Sequence, residues 1–515
     1  MLPLPRLRRP ASLLPFVAAT AVVGPAGVAH AGGFEVPDLG TVGIGRGGAF
    51  TARADNLSAF HYNPAGLAKL SGPNVLLSGN VIRLSNRFTR RGSGESVVPP
   101  GNDDGIDVRD PALDVNTGDP YATVENGAKI GPSPMFVMSW GDVGIKGLAL
   151  SFGLTPPVGF GSHDWPDEGG QRYTITSGDF SFFALGGGLS YRLNRYFAVG
   201  ANFLAGRFTA DFQVKTRAGA TGALDNEDLP GDTTSTVTVA DRFVPSANFG
   251  VLSQPLDFLE LGLAVRLPYR TRASGTLAYD PSTSTPDAVL ASDSRVELGQ
   301  TFPTVVRAGA RFIQRRFDLE VDYVFENYGT VDGIDVAFSN PDGDFTPDAF
   351  DDPDLLYLDT FGNGTVYAPI ISTPPPLQFR DTHQLRIGSD VEVLPGHLTL
   401  RAGGFVASSA YPEGNTTYSI RFPFSDQLGV GGGLTWHVIP QLDLSAGYLH
   451  IFQRDVVVRS GIAQANAFRF PDDPNIYGNI VNNGKYEMSL DIFGLSIEAH
   501  PLRGTKRRRS KGTGS

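Results

Sequence analysis

The chain contains no cysteine among its 515 residues. That absence excludes a disulfide scaffold and any thiolate nucleophile or metal ligand. Beyond Ala31 there is also no apolar run of the ~18 residues that a transmembrane helix needs. Basic residues are outnumbered, 42 Lys and Arg against 53 Asp and Glu, for a formal net charge of −11. An acidic balance argues against nucleic acid as a partner. The eight histidines show no metal-ligand spacing, so neither a metal nor a cofactor is expected.

What is present begins with a targeting pattern. Arg6, Arg8 and Arg9 form a basic region, Ala11 to Val23 is apolar, and Ala29-His30-Ala31 is a small-residue cleavage pattern. Together these read as a secretory signal peptide over 1–31. A membrane anchor fits less well, because Pro15, Gly24, Pro25 and Gly27 interrupt the run. An exported chain without a spanning helix is either soluble or crosses a membrane as a barrel. The 63 glycines, 10% aromatics and 41% hydrophobics suit a barrel, in which one residue in two faces lipid.

From Val75 onward the dominant period is two. Phe317, Leu319, Val321, Tyr323 and Phe325 share one face, against Asp318, Glu320 and Asp322. Leu259, Leu261, Leu263, Val265 and Leu267 oppose Glu260, Gly262, Ala264 and Arg266. Alternation alone fits a soluble sandwich as well as a barrel; the connections separate them. Fourteen strands are expected, roughly 74–88, 133–141, 146–155, 179–193, 197–214, 235–253, 258–277, 294–313, 317–329, 377–393, 398–408, 426–438, 442–454 and 484–499. Links after even-numbered strands are short, centred on 142–144, 194–196, 255–257, 314–316, 394–396 and 439–441, and most others are long. Short periplasmic turns alternating with long external loops are the pattern of an outer-membrane barrel. An even count leaves both termini in the periplasm. Trp140, Tyr196, Phe197, Phe258, Phe312, Phe317 and Trp436 cluster at the short-turn ends, where an interfacial aromatic girdle belongs.

Residues 32–73 do not alternate. They precede the first strand and are rich in dispersed apolar residues, which makes them a candidate plug for the lumen of a wide barrel. Gly43-Ile44-Gly45-Arg46-Gly47-Gly48-Ala49-Phe50, then Ala54-Asp55-Asn56, then Tyr62-Asn63-Pro64-Ala65-Gly66-Leu67 resembles the N-terminal signature of the FadL/TodX family. Thinner echoes are Thr155-Pro156-Pro157-Val158-Gly159, the stretch from Phe302-Pro303 to Gly309, and Glu320-Val321-Asp322-Tyr323. The resemblance implies a fourteen-stranded barrel with an N-terminal hatch that transports long-chain fatty acids or aromatic hydrocarbons across the outer membrane. It also implies lateral release at a kinked third strand, gated by the mature N-terminus. Here that would involve Phe34 and the run Phe152, Gly153, Pro156, Pro157 and Phe160. Gly and Pro are the residues that permit a break in a ladder.

The expected domains are a signal peptide (1–31), plug (32–73), barrel (74–500) and basic periplasmic tail (501–515). The tail departs from the family, whose barrels usually finish on an aromatic residue used by the barrel-assembly machinery. The lumen-facing set includes Arg307, Arg311, Asp318, Glu320, Asp322, Arg386 and Asp390. Unpaired, these are costly in a filled lumen, so a network pinning the plug through Arg46, Arg53 and Asp55 is expected. The glycines Gly45 and Gly48 allow tight turns, and Asn63 with Pro64 sets a bend ahead of Ala65 and Gly66. The other reading of the charged set is exposure to water in an open pore.

Three strings carry no chemistry. Gly43, Gly45 and Gly48 match a dinucleotide fingerprint but lack the preceding buried strand. Ser162-His163-Asp164 are consecutive, whereas a triad converges in space. The acidic runs at 103–107 and 342–354 do not fit a calcium loop; solvation, or cation bridges to lipopolysaccharide, accounts for them. A barrel enzyme would need a Ser/His pair that cannot be placed here, and a structural or adhesive barrel leaves the plug motif unexplained. The expectation is a monomeric, non-enzymatic transporter for hydrophobic small molecules.

Overall fold

A computed structural model describes residues 39–91, 118–127, 130–156, 162–217, 232–280, 294–331, 334–339, 357–360, 364–367, 369–370, 379–412, 414–463, 467–468 and 480–502. The signal peptide, Phe34, Pro157, Phe160, the acidic runs at 103–107 and 342–354, and the tail from 503 lie outside the described residues.

Period-two patterning becomes fourteen strands: β1 (Gly72–Arg90), β2 (Gly131–Gly141), β3 (Leu148–Thr155), β4 (Ser177–Arg192), β5 (Phe197–Arg217), β6 (Asp232–Leu256), β7 (Leu259–Arg266 with Tyr269–Asp280), β8 (Ser294–Phe302 with Val305–Gln314), β9 (Phe317–Glu326 with Ile334–Ser339), β10 (Thr382–Leu394), β11 (Leu398–Ala407), β12 (Gln427–Ile439), β13 (Leu442–Gln453 with Val456–Val458) and β14 (Gly484–Ala499). Each pairs antiparallel with the next, and β14 returns to β1 from Val75↔Ala499 to Arg90↔Gly484. The sheet is therefore closed, which removes the free edges that lipid cannot hydrogen-bond.

Faces follow parity. Along β9, Asp318, Glu320 and Asp322 are buried while Phe317, Val321 and Tyr323 are exposed. The outward set is large and apolar around the whole barrel, including Leu77, Leu189, Phe203, Leu385, Val430 and Leu495, the last 70% exposed. Water would not tolerate such a belt; hydrocarbon favours it. All seven girdle aromatics at the short-turn ends are exposed on it.

The sequence reading ends the ninth strand at 329, whereas the strand continues over Ile334–Ser339 along β8; that reading also runs the seventh and eighth strands unbroken. These two are interrupted, at Leu267-Pro268 and at Pro303-Thr304. Proline has no N–H to donate, so it stops a ladder locally. The breaks are adjacent: Arg266 pairs Val305 on one side of them and Tyr269 pairs Phe302 on the other.

Candidate functional site

The segment preceding β1 lies against the inward faces of the strands. It comprises α1 (Thr41–Ile44), α2 (Ala59–Tyr62) and a 3-10 helix at Pro64–Lys69. Gly47 and Gly48 have φ of +61° and +76°, a left-handed turn that suits glycine. Asn63 fixes the next bend: its Oδ1 accepts from the Ala65 N–H at 3.2 Å, and its Nδ2 donates to the carbonyls of Thr51 (2.9 Å) and Val251 of β6 (3.1 Å). Pro64 then occupies the first turn of the 3-10 helix, where a missing N–H costs nothing.

The wall is cut to receive this backbone. A Cβ at Gly250 would fall 2.0 Å from Asn63 Oδ1, at Gly262 2.4 Å from the Thr51 carbonyl, and at Gly403 2.1 Å from the Arg46 carbonyl. A Cβ at Gly45 would likewise fall 2.8 Å from Arg401 Cδ, and one at Gly66, within the segment, 2.0 Å from the Ala54 carbonyl oxygen. Inward glycines on β6, β7 and β11 thus let two backbones touch. Side chains on the same wall then bond the segment's backbone. Asn202 and Asn248 donate to the Phe60 and His61 carbonyls at 2.8 Å each. Ser190 donates to the Pro64 carbonyl at 2.6 Å, and Arg192 to that of Ala68 at 2.9 Å.

The strongest contacts are ionic. Arg46 is fully buried and donates to Asp318 (2.8 Å), Glu320 (3.0 Å) and Asp390 (2.6 Å). Glu320 accepts from the Ala52 and Arg53 N–H groups, and Asp322 from those of Phe50 and Thr51 at 2.9 Å each. Arg53 bridges Asp55 and Asp390, and Arg311 joins Asp318 to Glu260 at 2.6 and 2.8 Å. Burial pushes the Asp55 carboxyl up, but Arg53, Arg311 and Lys69 outweigh it and hold the group at about 2. Buried charges persist only when paired and hydrogen-bonded this completely.

The remaining sequence-derived residues fall elsewhere. Arg307 is buried on the inward face of β8. Arg386 donates to Gln384 and to the Gly47 carbonyl at 3.5 Å and stacks over Phe405. Phe152 points outward, 42% exposed, whereas Gly153 faces Phe60 of the segment and Pro156 is buried. Among the described residues, β3 pairs with β2 only as far as Phe136↔Leu154 and with β4 as far as Thr155↔Ala184; pairing to β4 resumes at His163↔Gly178.

The lumen differs on the two sides of the segment. Toward the short turns is a cavity of about 970 Å³ bordered by Arg53, Asp55, Lys69, Arg311, Glu498 and His500. Toward the long loops the inward faces are aromatic. Phe182 packs on Tyr269, Phe302 and Phe208 at centroid distances of 5.0, 5.5 and 6.1 Å. Tyr411, Tyr418, Tyr486 and Phe88 continue the lining at 4.6 to 4.9 Å. Sequence reasoning missed Asn202, Asn248, Ser190, Arg401 and this aromatic set. Inward parity was the signal available for those on strands, whereas Tyr411 and Tyr418 lie in the link between β11 and β12; nothing in the order of residues gives their height in the barrel.

The sequence profile of the outer membrane protein transport family (OMPP1/FadL/TodX) matches residues 22–486. No curated protein matches by sequence. Among solved structures, the chain is similar in fold to a FadL homologue of Pseudomonas aeruginosa (16% identity, 91% of this chain and 100% of that one, TM-score 0.67). It is similar also to the toluene transporter TodX of P. putida (13%, 90% and 99%, TM-score 0.57) and to the CymD monoaromatic hydrocarbon channel (14%, 91% and 98%, TM-score 0.55). A closed fourteen-stranded barrel with a lipid-facing apolar belt and a profile match over most of its length, this chain belongs to the FadL/TodX family of outer-membrane transport proteins.

Proposed function

We propose that the protein carries hydrophobic small molecules inward across the outer membrane by passive diffusion, releasing them sideways through the barrel wall. Solutes enter from the long-loop side into the aromatic-lined lumen. The segment over residues 41–69 acts as a plug that closes the axial path. The exit lies at β3. The observation that carries this reading is the level at which the β3 ladder ends: among the described residues it runs to Thr155, close to where Gly153 meets Phe60 of the plug, beside the aromatic lining rather than beside the polar cavity. A lipophile that left through the short-turn cavity would have to pass Arg53, Lys69 and Arg311, at a desolvation cost for those charges. The aromatic solutes named for the related channels, toluene and monoaromatic hydrocarbons, are of the class this lining suits. A purely structural or adhesive barrel has no use for an apolar lining above a bonded plug. The protein works as a single chain in contact with outer-membrane lipid; lipopolysaccharide and the barrel-assembly machinery are the partners any such barrel meets.

Gly153→Val tests the exit. A valine there adds bulk against Phe60 and Val137, both 3.1 Å from the Cβ position. In proteoliposomes the variant is expected to bind toluene but transport it at a small fraction of the normal rate. Normal transport would place the exit elsewhere.

A further inference from the structure

The lipid-facing belt ends differently on two parts of the outer wall. Along β5 the exposed positions are Phe197, Val199 and Phe203, and then Arg207. Along β7 they are Leu261, Leu263 and Leu267, and then Arg270 and Arg272, which alternate with buried Tyr269, Thr271 and Ala273. On β6, between those two strands, Arg242 and Phe243 are consecutive and both exposed. A regular strand would send one of them inward. The register of β6 with β5 shifts between Gly206↔Val244 and Phe208↔Asp241, and such a bulge re-aims a side chain. All four arginines lie toward the long-loop ends of their strands, at the outer-leaflet edge of the apolar belt. Neighbouring strands are about 4.8 Å apart, so the four form one compact row.

None of the four makes an ion pair among the described residues. The acid within the row, Asp241, has its carboxylate turned to backbone: it accepts from the N–H groups of Phe243 at 3.0 Å and Arg272 at 2.7 Å. On β5, Asp211 accepts from the Thr238 hydroxyl at 3.1 Å. Outward cations on β1 and β14 are paired instead. Arg87 meets Glu125 at 2.8 Å, Lys485 meets Asp455 and Glu487 at 3.0 and 2.9 Å, and Arg83 lies 3.8 Å from Asp491.

Like charges this close repel, the more so beside hydrocarbon, where screening is weaker than in bulk water. The bulge adds an arginine to the row rather than relieving it. A guanidinium gives two parallel N–H bonds to a phosphate. The outer leaflet presents phosphates at this depth, on the diglucosamine headgroup of lipopolysaccharide, with acyl chains beneath. Phe203, Phe243, Phe249 and Leu263, exposed below the row, offer those chains an apolar surface.

We propose that Arg207, Arg242, Arg270 and Arg272 form a binding site for the phosphorylated headgroup of lipopolysaccharide and fix one such molecule against β5–β7. The site is on the outer wall and does not depend on which cargo the lumen carries.

The test titrates the full-length protein, refolded free of lipopolysaccharide in a neutral detergent, with bisphosphorylated lipid A and with the same lipid stripped of both phosphates. The wild-type chain should bind the phosphorylated form about tenfold more tightly, the sum expected of several exposed charge pairs. Arg207→Gln, Arg242→Gln, Arg270→Gln and Arg272→Gln together should erase that preference. Binding of the stripped lipid should be unchanged in this variant, which also shows that it is folded. Lysine at the same four positions should keep part of the preference, and Arg83→Gln with Arg87→Gln should keep all of it. Phosphatidylglycerol, with one phosphate, should bind the wild-type chain about tenfold more weakly than lipid A. Equal wild-type affinities for the two forms of lipid A, or a glutamine variant that keeps the preference or weakens both forms alike, would overturn the site. Phosphatidylglycerol bound as tightly as lipid A would show a general anionic-lipid contact and overturn the assignment to lipopolysaccharide. An equal loss from the Arg83 and Arg87 changes would place the phosphates elsewhere and overturn it too.

Discussion

The two halves of the lumen are filled by different physics. On the short-turn side, the segment over 41–69 is held by directional bonds: Arg46 among three carboxylates, and wall asparagines on its carbonyls. On the long-loop side, Phe182, Tyr269 and Phe302 meet through ring contacts that lack a required partner geometry. Buried ion pairs resist the loss of either member, because the survivor is stranded. Apolar packing yields to any guest that buries equivalent surface. The lesson is that the same barrel holds a part that ligand cannot displace beneath a part that ligand can.

Arg46→Met should have the largest effect. It removes the cation shared by Asp318, Glu320 and Asp390, leaving Arg53 and Arg311 to hold two of them, and should cost about 3 kcal/mol. Thermal unfolding of the purified barrel would register this, and liposome swelling should show leakage of small sugars. An unchanged melting temperature would mean that the network is not what holds the segment. Phe182→Ala probes the other half. Toluene binding should weaken about tenfold, since a buried phenyl contributes roughly 1.5–3 kcal/mol to contacts it makes. Sugar leakage should stay at the wild-type level; a leak would blur the distinction between the halves. The smallest change is expected from Asn63→Ala, which removes one capping acceptor and two donors at a cost of about 1 kcal/mol. That variant should assemble normally and leak slightly, read by the same swelling assay.

The barrel was legible because lipid imposes a strict rule on one face. Leu319, Val321 and Tyr323 had to be apolar, and their parity set Asp318, Glu320 and Asp322 inward. The alternation of short and long links then fixed the strand count. Two prolines, Pro268 and Pro303, carried the signal for the broken strands, yet the flanking alternation continues across them and masks it. The site was legible only in part. Arg46, Asp318 and Asp390 could be grouped as charges needing partners, and the structure brings them together. Their exact pairing joins positions 272 and 344 residues apart, and periodicity carries no information about such separations. The same limit hid Asn202 and Asn248, whose amides meet the Phe60 carbonyl from neighbouring strands. Gly250, Gly262 and Gly403 were visible as glycines but not as the seat of a second backbone.

The central claim is that cargo leaves sideways past a fixed segment. Thr41 of that segment and Ser78 of β1 have side-chain oxygens 3.1 Å apart, and the chain has no cysteine to interfere. A Thr41→Cys, Ser78→Cys pair can therefore pin the segment to the wall by oxidation. Toluene uptake into proteoliposomes, measured oxidised and then reduced, is the direct test. The account predicts equal rates in both states. Uptake abolished by the disulfide and restored by reductant would show that the segment must move out of the way, and would contradict the lateral route.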